Sequence, residues 1–123
     1  MKILPKRIQF STSDDPRRHL PMRPAAFAVA AALAGGPRPG IELLDEVNGT
    51  AAGWTVLGPG TLYRLMREMR QDGLIAREAR GAHCSDERQA HHVLTPLGRA
   101  VLKAEAARLR RTLDLASARP GGR

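Results

Sequence analysis

The sequence predicts a mainly α-helical chain carrying one small β-hairpin. Three observations lead there. Three short segments between residues 23 and 71 place apolar residues at helical spacing. Two β-prone runs, 74–80 and 88–94, flank a polar stretch. From Thr95 onward a final helix carries an apolar seam spaced alternately four and three residues apart.

Residues 1–21 hold Pro5, the polar run Ser11 to Asp15, Pro16 and Pro21, and show neither helical nor strand period, so they read as a basic, mobile or loosely docked arm. The first helix is expected from Arg23 to Leu33, with Pro24 suited to its first turn and alanine, the best helix former, dominating. Phe27, Val29, Leu33 and the alanines cover almost every face, which predicts burial on most sides. Gly35-Gly36-Pro37 ends it, and Arg38-Pro39 reads as a basic turn. A second helix is expected over 39–51, with Ile41, Leu44 and Val47 on its apolar face, Leu43 widening it, and Asn48-Gly49 near its end. Trp54-Thr55-Val56-Leu57 is a short β-prone piece, with Trp54 expected to pack between elements.

The third helix is expected from Pro59 to Gln71. Leu62, Leu65, Met66 and Met69 form one stripe at i, i+3, i+4 and i+7, placing Gly60, Arg64 and Arg67 opposite and Tyr63 and Arg70 on a shoulder. Asp72-Gly73 closes it. Leu74 to Arg80 and Arg88 to Leu94 then read as the two strands of the hairpin, around the polar loop 81–87. Thr95 is a good cap and Pro96 a good first helical residue for the last helix, which continues to about Leu115 before a frayed tail, 117–123.

The chain's 123 residues amount to one domain. Aromatic residues make up 3%, so Leu, Val, Met and Ala must fill the core. The net charge of +8 is concentrated at the ends, with six basic against two acidic groups in residues 1–24 and seven against two in 95–123. That imbalance points to a polyanionic partner, nucleic acid first. The longest uncharged apolar run, Ala25 to Ala34, is ten residues, about half of what a membrane-spanning helix needs. Arg17-Arg18 before an apolar stretch superficially matches an export signal, but Pro16, His19, Pro21 and Pro24 interrupt it, and a cytoplasmic location is expected. A single cysteine excludes an intrachain disulfide framework.

Three short helices followed by a two-stranded wing is the winged form of the helix-turn-helix, whose third helix enters the major groove of DNA. Here that helix carries Arg64 and Arg67 opposite its apolar stripe, and arginine bridges guanine acceptors. Gly58 and Gly60 leave the helix start free of side-chain bulk, so its amides can meet a phosphate.

Gly60-Thr61-Leu62-Tyr63, then Leu65 and Met69, then Asp72-Gly73-Leu74-Ile75, resembles the recognition-helix signature of the PadR-like transcriptional regulators. Arg88 through Leu94-Thr95-Pro96-Leu97-Gly98-Arg99 is similar to a second motif of that family, and Gly40-Ile41-Glu42-Leu43 to the start of its second helix. The resemblance spans about residues 22–115. It implies a winged helix-turn-helix DNA-binding domain over 22–94 and a dimerisation helix over 95–116. It further implies a homodimeric repressor that binds operator DNA and is often released by a small-molecule effector; no cofactor is read from the sequence.

Carried onto this sequence, Thr61, Tyr63 and Arg64 become candidate phosphate or base contacts, and the helical wheel adds Arg67. Arg77, Arg80 and Arg88 become candidate wing contacts. The seam Leu102, Ala106, Leu109, Leu113 and Ala116 is the candidate dimer interface, and Trp54 a candidate wall of an effector pocket between the dimer helices. The chain departs from the family's aromatic pair at His91-His92, which predicts pH-sensitive wing docking near neutrality.

His83, Cys84, His91 and His92 are metal-ligand types, but adjacent strand residues point to opposite faces, so the four do not form a ready metal site. Cys84 as a redox sensor has only Arg80 and His83 nearby to lower its pKa. The sequence holds no phosphate loop, nucleophile elbow or zinc-protease pair, so no enzyme is read from it. The competing reading is a winged-helix protein-interaction adaptor without its own DNA target.

Overall fold

A computed structural model describes residues 15–49, 57–78 and 86–118. After a 3-10 turn, Pro16–His19, come helix α1 (Pro24–Leu33), strand β1 (Arg38–Pro39), helix α2 (Gly40–Gly49), helix α3 (Pro59–Gln71), strands β2 (Ile75–Arg77) and β3 (His91–Leu94), and helix α4 (Pro96–Ala118). The β-prone segment around Trp54 lies outside the described residues.

The core forms around α1. Ala26, Val29, Ala30, Ala32 and Leu33 are buried, and the helix packs against α2, α3, α4 and β3. Small alanine side chains permit this, because each partner can approach without displacing bulk. Leu43, Val47, Leu62, Met66, Met69, Ile75 and Val101 close the same core. In α2 the buried positions are Gly40, Leu43 and Val47, with Leu44 half-buried. The expected face on Ile41 is corrected: Ile41 is 40% exposed. The stripe that faces α1 is set by Leu43 and Val47, one turn apart, and Ile41 points off it.

Arg38-Pro39 is not a turn but the edge strand of a three-stranded antiparallel sheet, order β1-β3-β2, with Arg38 opposite His92 and Pro39 opposite His91. Proline is tolerated at an edge because its missing N–H need not face a partner. The Arg38 guanidinium reaches back to the Ala32 carbonyl at 3.1 Å and lies near Glu42 and Glu46, tying the end of α1 to α2. β3 is shorter than expected, since residues 88–90 form a turn rather than strand, and residues 79–80 of the other expected strand lie outside the described residues.

Residues 15–22 are also better organised than their sequence suggests. Asp15 caps the 3-10 turn by accepting from the Arg17 amide, and the Arg17 guanidinium beside it holds its carboxyl down to about 2. The turn packs on α4, and the Met22 amide donates to buried Glu105 at 3.1 Å. A hydrogen bond from the Arg108 guanidinium holds the Glu105 carboxyl below its ordinary range.

α4 starts as expected. The Thr95 hydroxyl accepts from the Gly98 amide at 2.9 Å, and the Thr95 amide donates to the Leu74 carbonyl at 3.0 Å. Gly98 is pressed onto the Leu74 backbone: a Cβ there would overlap the Leu74 carbonyl oxygen and crowd Leu94. An exposed helical Gly→Ala change gains up to about 1 kcal/mol from propensity. At Gly98 the overlap dominates, since overpacking against backbone costs about 1–3 kcal/mol. Gly98→Ala should therefore lower the thermal unfolding midpoint, whereas Gly60→Ala, whose Cβ meets nothing, should not.

Candidate nucleic-acid interface

Two devices aim α3. At its start, the Asn48 side-chain amide donates to the Leu57 carbonyl at 3.0 Å and accepts from the Leu57 amide at 2.9 Å, fastening the residue before Gly58 to the end of α2. At its end, Gly73 takes φ +81°, the Gly73 amide donates to the Arg70 carbonyl and the Leu74 amide to that of Met69, a Schellman stop that turns the chain directly into β2. Leu62, Leu65, Met66 and Met69 are buried as expected, so the helix cannot roll.

The opposite face is open. Pro59, Gly60, Thr61, Arg64, Arg67 and Gln71 are exposed. Arg64 and Arg67 form no ion pair with a described residue, and Glu68, the carboxylate nearest them in sequence, is taken by Arg23 at 2.9 Å. Gly58 is the N-cap and offers no side-chain acceptor, which leaves the first-turn amides directed outward. The fold itself requires neither Gly58 nor Gly60, since a Cβ at either would meet nothing and neither has positive φ. A cavity of about 370 Å³ opens beside this face, with Ala25, Leu57 and Leu65 as apolar wall and Arg23, Thr61, Arg64 and Glu68 as polar wall.

Two of the expected contacts are placed differently from Arg64 and Arg67. Tyr63 turns inward: its residue is half-buried and its hydroxyl oxygen is buried with no partner among the described residues. Burial raises its pKa above the usual value. Its position on the α3 shoulder, seven residues before Arg70, directs it toward the turn 86–89 rather than outward. Arg77 is likewise engaged within the fold, donating to Glu87 at 2.9 Å. Arg88 is exposed at that turn, while its carbonyl accepts from the Ile41 amide at 2.8 Å. Arg80 and Trp54 lie outside the described residues, as do His83 and Cys84. No group of three or more metal-ligating side chains occurs among the described residues.

Sequence reasoning missed Glu87. Its side chain, 11% exposed, accepts from Arg70 at 3.0 and 3.2 Å as well as from Arg77. His92 is fully buried beneath it, with Nε2 3.3 Å from the Glu87 carbonyl and 3.6 Å from its carboxylate. The Glu87 backbone also presses on Gly40, where a Cβ would overlap its carbonyl oxygen. The only sequence signal for this arrangement is an acidic residue between arginine-bearing strands. His91 is exposed, so the two histidines do point to opposite sides, but only His92 is placed to sense the wing.

The candidate dimer seam divides. Leu102 packs against the chain's own core and Ala106 is half-buried, whereas Leu109, Leu113 and Ala116 are exposed, Leu113 at 64%. Leu115 adds a further exposed apolar residue.

A helix-turn-helix core followed by a sheet that props a wing beside the third helix defines a winged-helix protein. The family model described as the transcriptional regulator PadR-like family matches residues 29–104, and the chain belongs to that family. No match was found among curated proteins or among solved structures. No helix among the described residues is long and apolar enough to cross a membrane.

Burial disfavours the charged form of Glu87, yet hydrogen bonds from Arg70 and Arg77 outweigh it and lower its pKa. Burial lowers that of His92, with Arg70 and Arg77 adding to the effect. For both groups the unfolded chain binds protons more readily than the folded one, so stability falls as pH falls. The His92 contribution declines first, as pH drops below about 6.5, and the Glu87 contribution follows below about 4.3. This moves the sensitivity expected of the histidine pair downward in pH and assigns it to His92 in the packing beneath the wing. The thermal midpoint should therefore decline between pH 7 and 5, and His92→Phe should flatten that decline while His91→Phe leaves it in place.

Proposed function

We propose that the chain is a sequence-specific, double-stranded DNA-binding repressor that acts as a homodimer. The observation that carries this is the exposed Arg64–Arg67 face of α3, without an ion pair among the described residues, backed by a buried stripe and headed by open amides. Arg64 and Arg67 reach base edges in the major groove, Gly60 and Thr61 meet phosphate, and Arg88 contacts the flanking backbone. The exposed leucines at the end of α4 support pairing of two chains, since a single chain leaves them in water. Such a dimer sets the separation of two half-sites. The family supports release by a small-molecule effector, and the cavity bordering Arg64 offers a place where a ligand competes with DNA. The protein performs no catalysis and works in the cytoplasm.

Selection of random duplex DNA by the purified protein should enrich an inverted repeat. Arg64→Ala and Arg67→Ala should each weaken binding to it by about 1–3 kcal/mol and relax preference at one position per half-site. Enrichment of nothing would favour the adaptor reading instead. Leu113→Lys should shift the protein toward monomer in analytical ultracentrifugation, and an unchanged mass would remove α4 as the interface.

A further inference from the structure

Glu87 belongs to the wing, yet its partners lie on three different elements: Arg70 on α3, Arg77 on β2 and His92 on β3. Both guanidinium groups sit beside the surface proposed to meet DNA. Left to themselves they would bind any phosphate they reached, and phosphate contacts carry no sequence information. Here a single, largely buried carboxylate holds both, at 2.9 to 3.2 Å. The same residue's backbone is locked against Gly40, and the next carbonyl against the Ile41 amide, so the segment that carries the carboxylate cannot shift without moving the start of α2. Arg64 and Arg67, in contrast, have no such carboxylate among the described residues.

We propose that Glu87 is a specificity-determining positioning residue: it withholds Arg70 and Arg77 from the DNA backbone and sets the wing against the recognition helix. This rests on the DNA-binding reading above. Binding then depends on the bases met by Arg64 and Arg67, and the sequence-independent share is kept small.

The test measures affinity for a random-sequence duplex across a salt series, beside affinity for a selected operator, with wild type and Glu87→Gln. Each phosphate newly contacted steepens the salt slope by about 0.9. Release of Arg70 alone should make Glu87→Gln lose about threefold more affinity than wild type between 50 and 200 mM salt, and release of Arg77 as well should raise that to about tenfold. It should bind random duplex more tightly than wild type at low salt, and discriminate the operator less. An unchanged slope overturns the proposal, as does uniform weakening on both DNAs, which marks a merely structural role. Arg77→Gln keeps the test open should Glu87→Gln not fold. With Arg77 already withheld, its loss should leave the wild-type slope unchanged, whereas a slope shallower by about 0.9 shows it touching phosphate and overturns the proposal. If wild type binds no duplex at any salt, the DNA-binding reading falls and this proposal with it. If wild type binds and Glu87→Gln behaves like it, this proposal falls alone.

Discussion

The whole structure depends on one helix being thin. With so few aromatic residues, the chain cannot build its core from large rings around a cavity; it builds it from close approach. α1 supplies that approach. Its buried alanines let α2, α3, α4 and the central strand all reach it, so one ten-residue helix links the helix-turn-helix to the sheet and to the final helix. Enlarging a buried alanine there would separate several elements at once, because interiors at crystal-like density transmit strain instead of absorbing it.

Around that post, the orientation of α3 is set at both ends and along one edge. Asn48 holds the approach to its first turn, the Gly73 stop delivers the chain to β2, and the turn 86–89 grips its shoulder through Glu87. These are polar contacts with directional geometry, whereas the buried stripe alone would permit sliding. An arginine-bearing helix can read bases only if its side chains start from a fixed frame, and here that frame is built from hydrogen bonds between elements distant in sequence.

Much of this was legible beforehand, for a consistent reason. The α3 stripe, the Thr95-Pro96 helix start and the burial of α1 on several sides follow from local periodicity and capping, which short stretches of sequence express. β1 was not legible, because two residues show no alternation and one of them is proline. Its strand character comes entirely from β3 alongside it. The inward turn of Tyr63 and the capture of Arg77 were missed for a related reason. A helical wheel or strand pattern places a side chain on a face, but not what stands opposite that face. The seam of α4 likewise read as one continuous stripe, although its first half serves this chain's own core and only its second half is exposed.

The sequence by itself determined the class of fold, the existence of the arginine face and the family resemblance, since these rest on spacing, composition and motif order along the chain. Tertiary structure alone decided which arginines remain available. Arg64, Arg67, Arg70 and Arg77 are equivalent as residue types, and what separates them is a carboxylate that lies ten to seventeen residues from its two partners in sequence and within hydrogen-bonding distance of both in space. A charge interacts through distance and burial, and neither quantity is written in the order of residues.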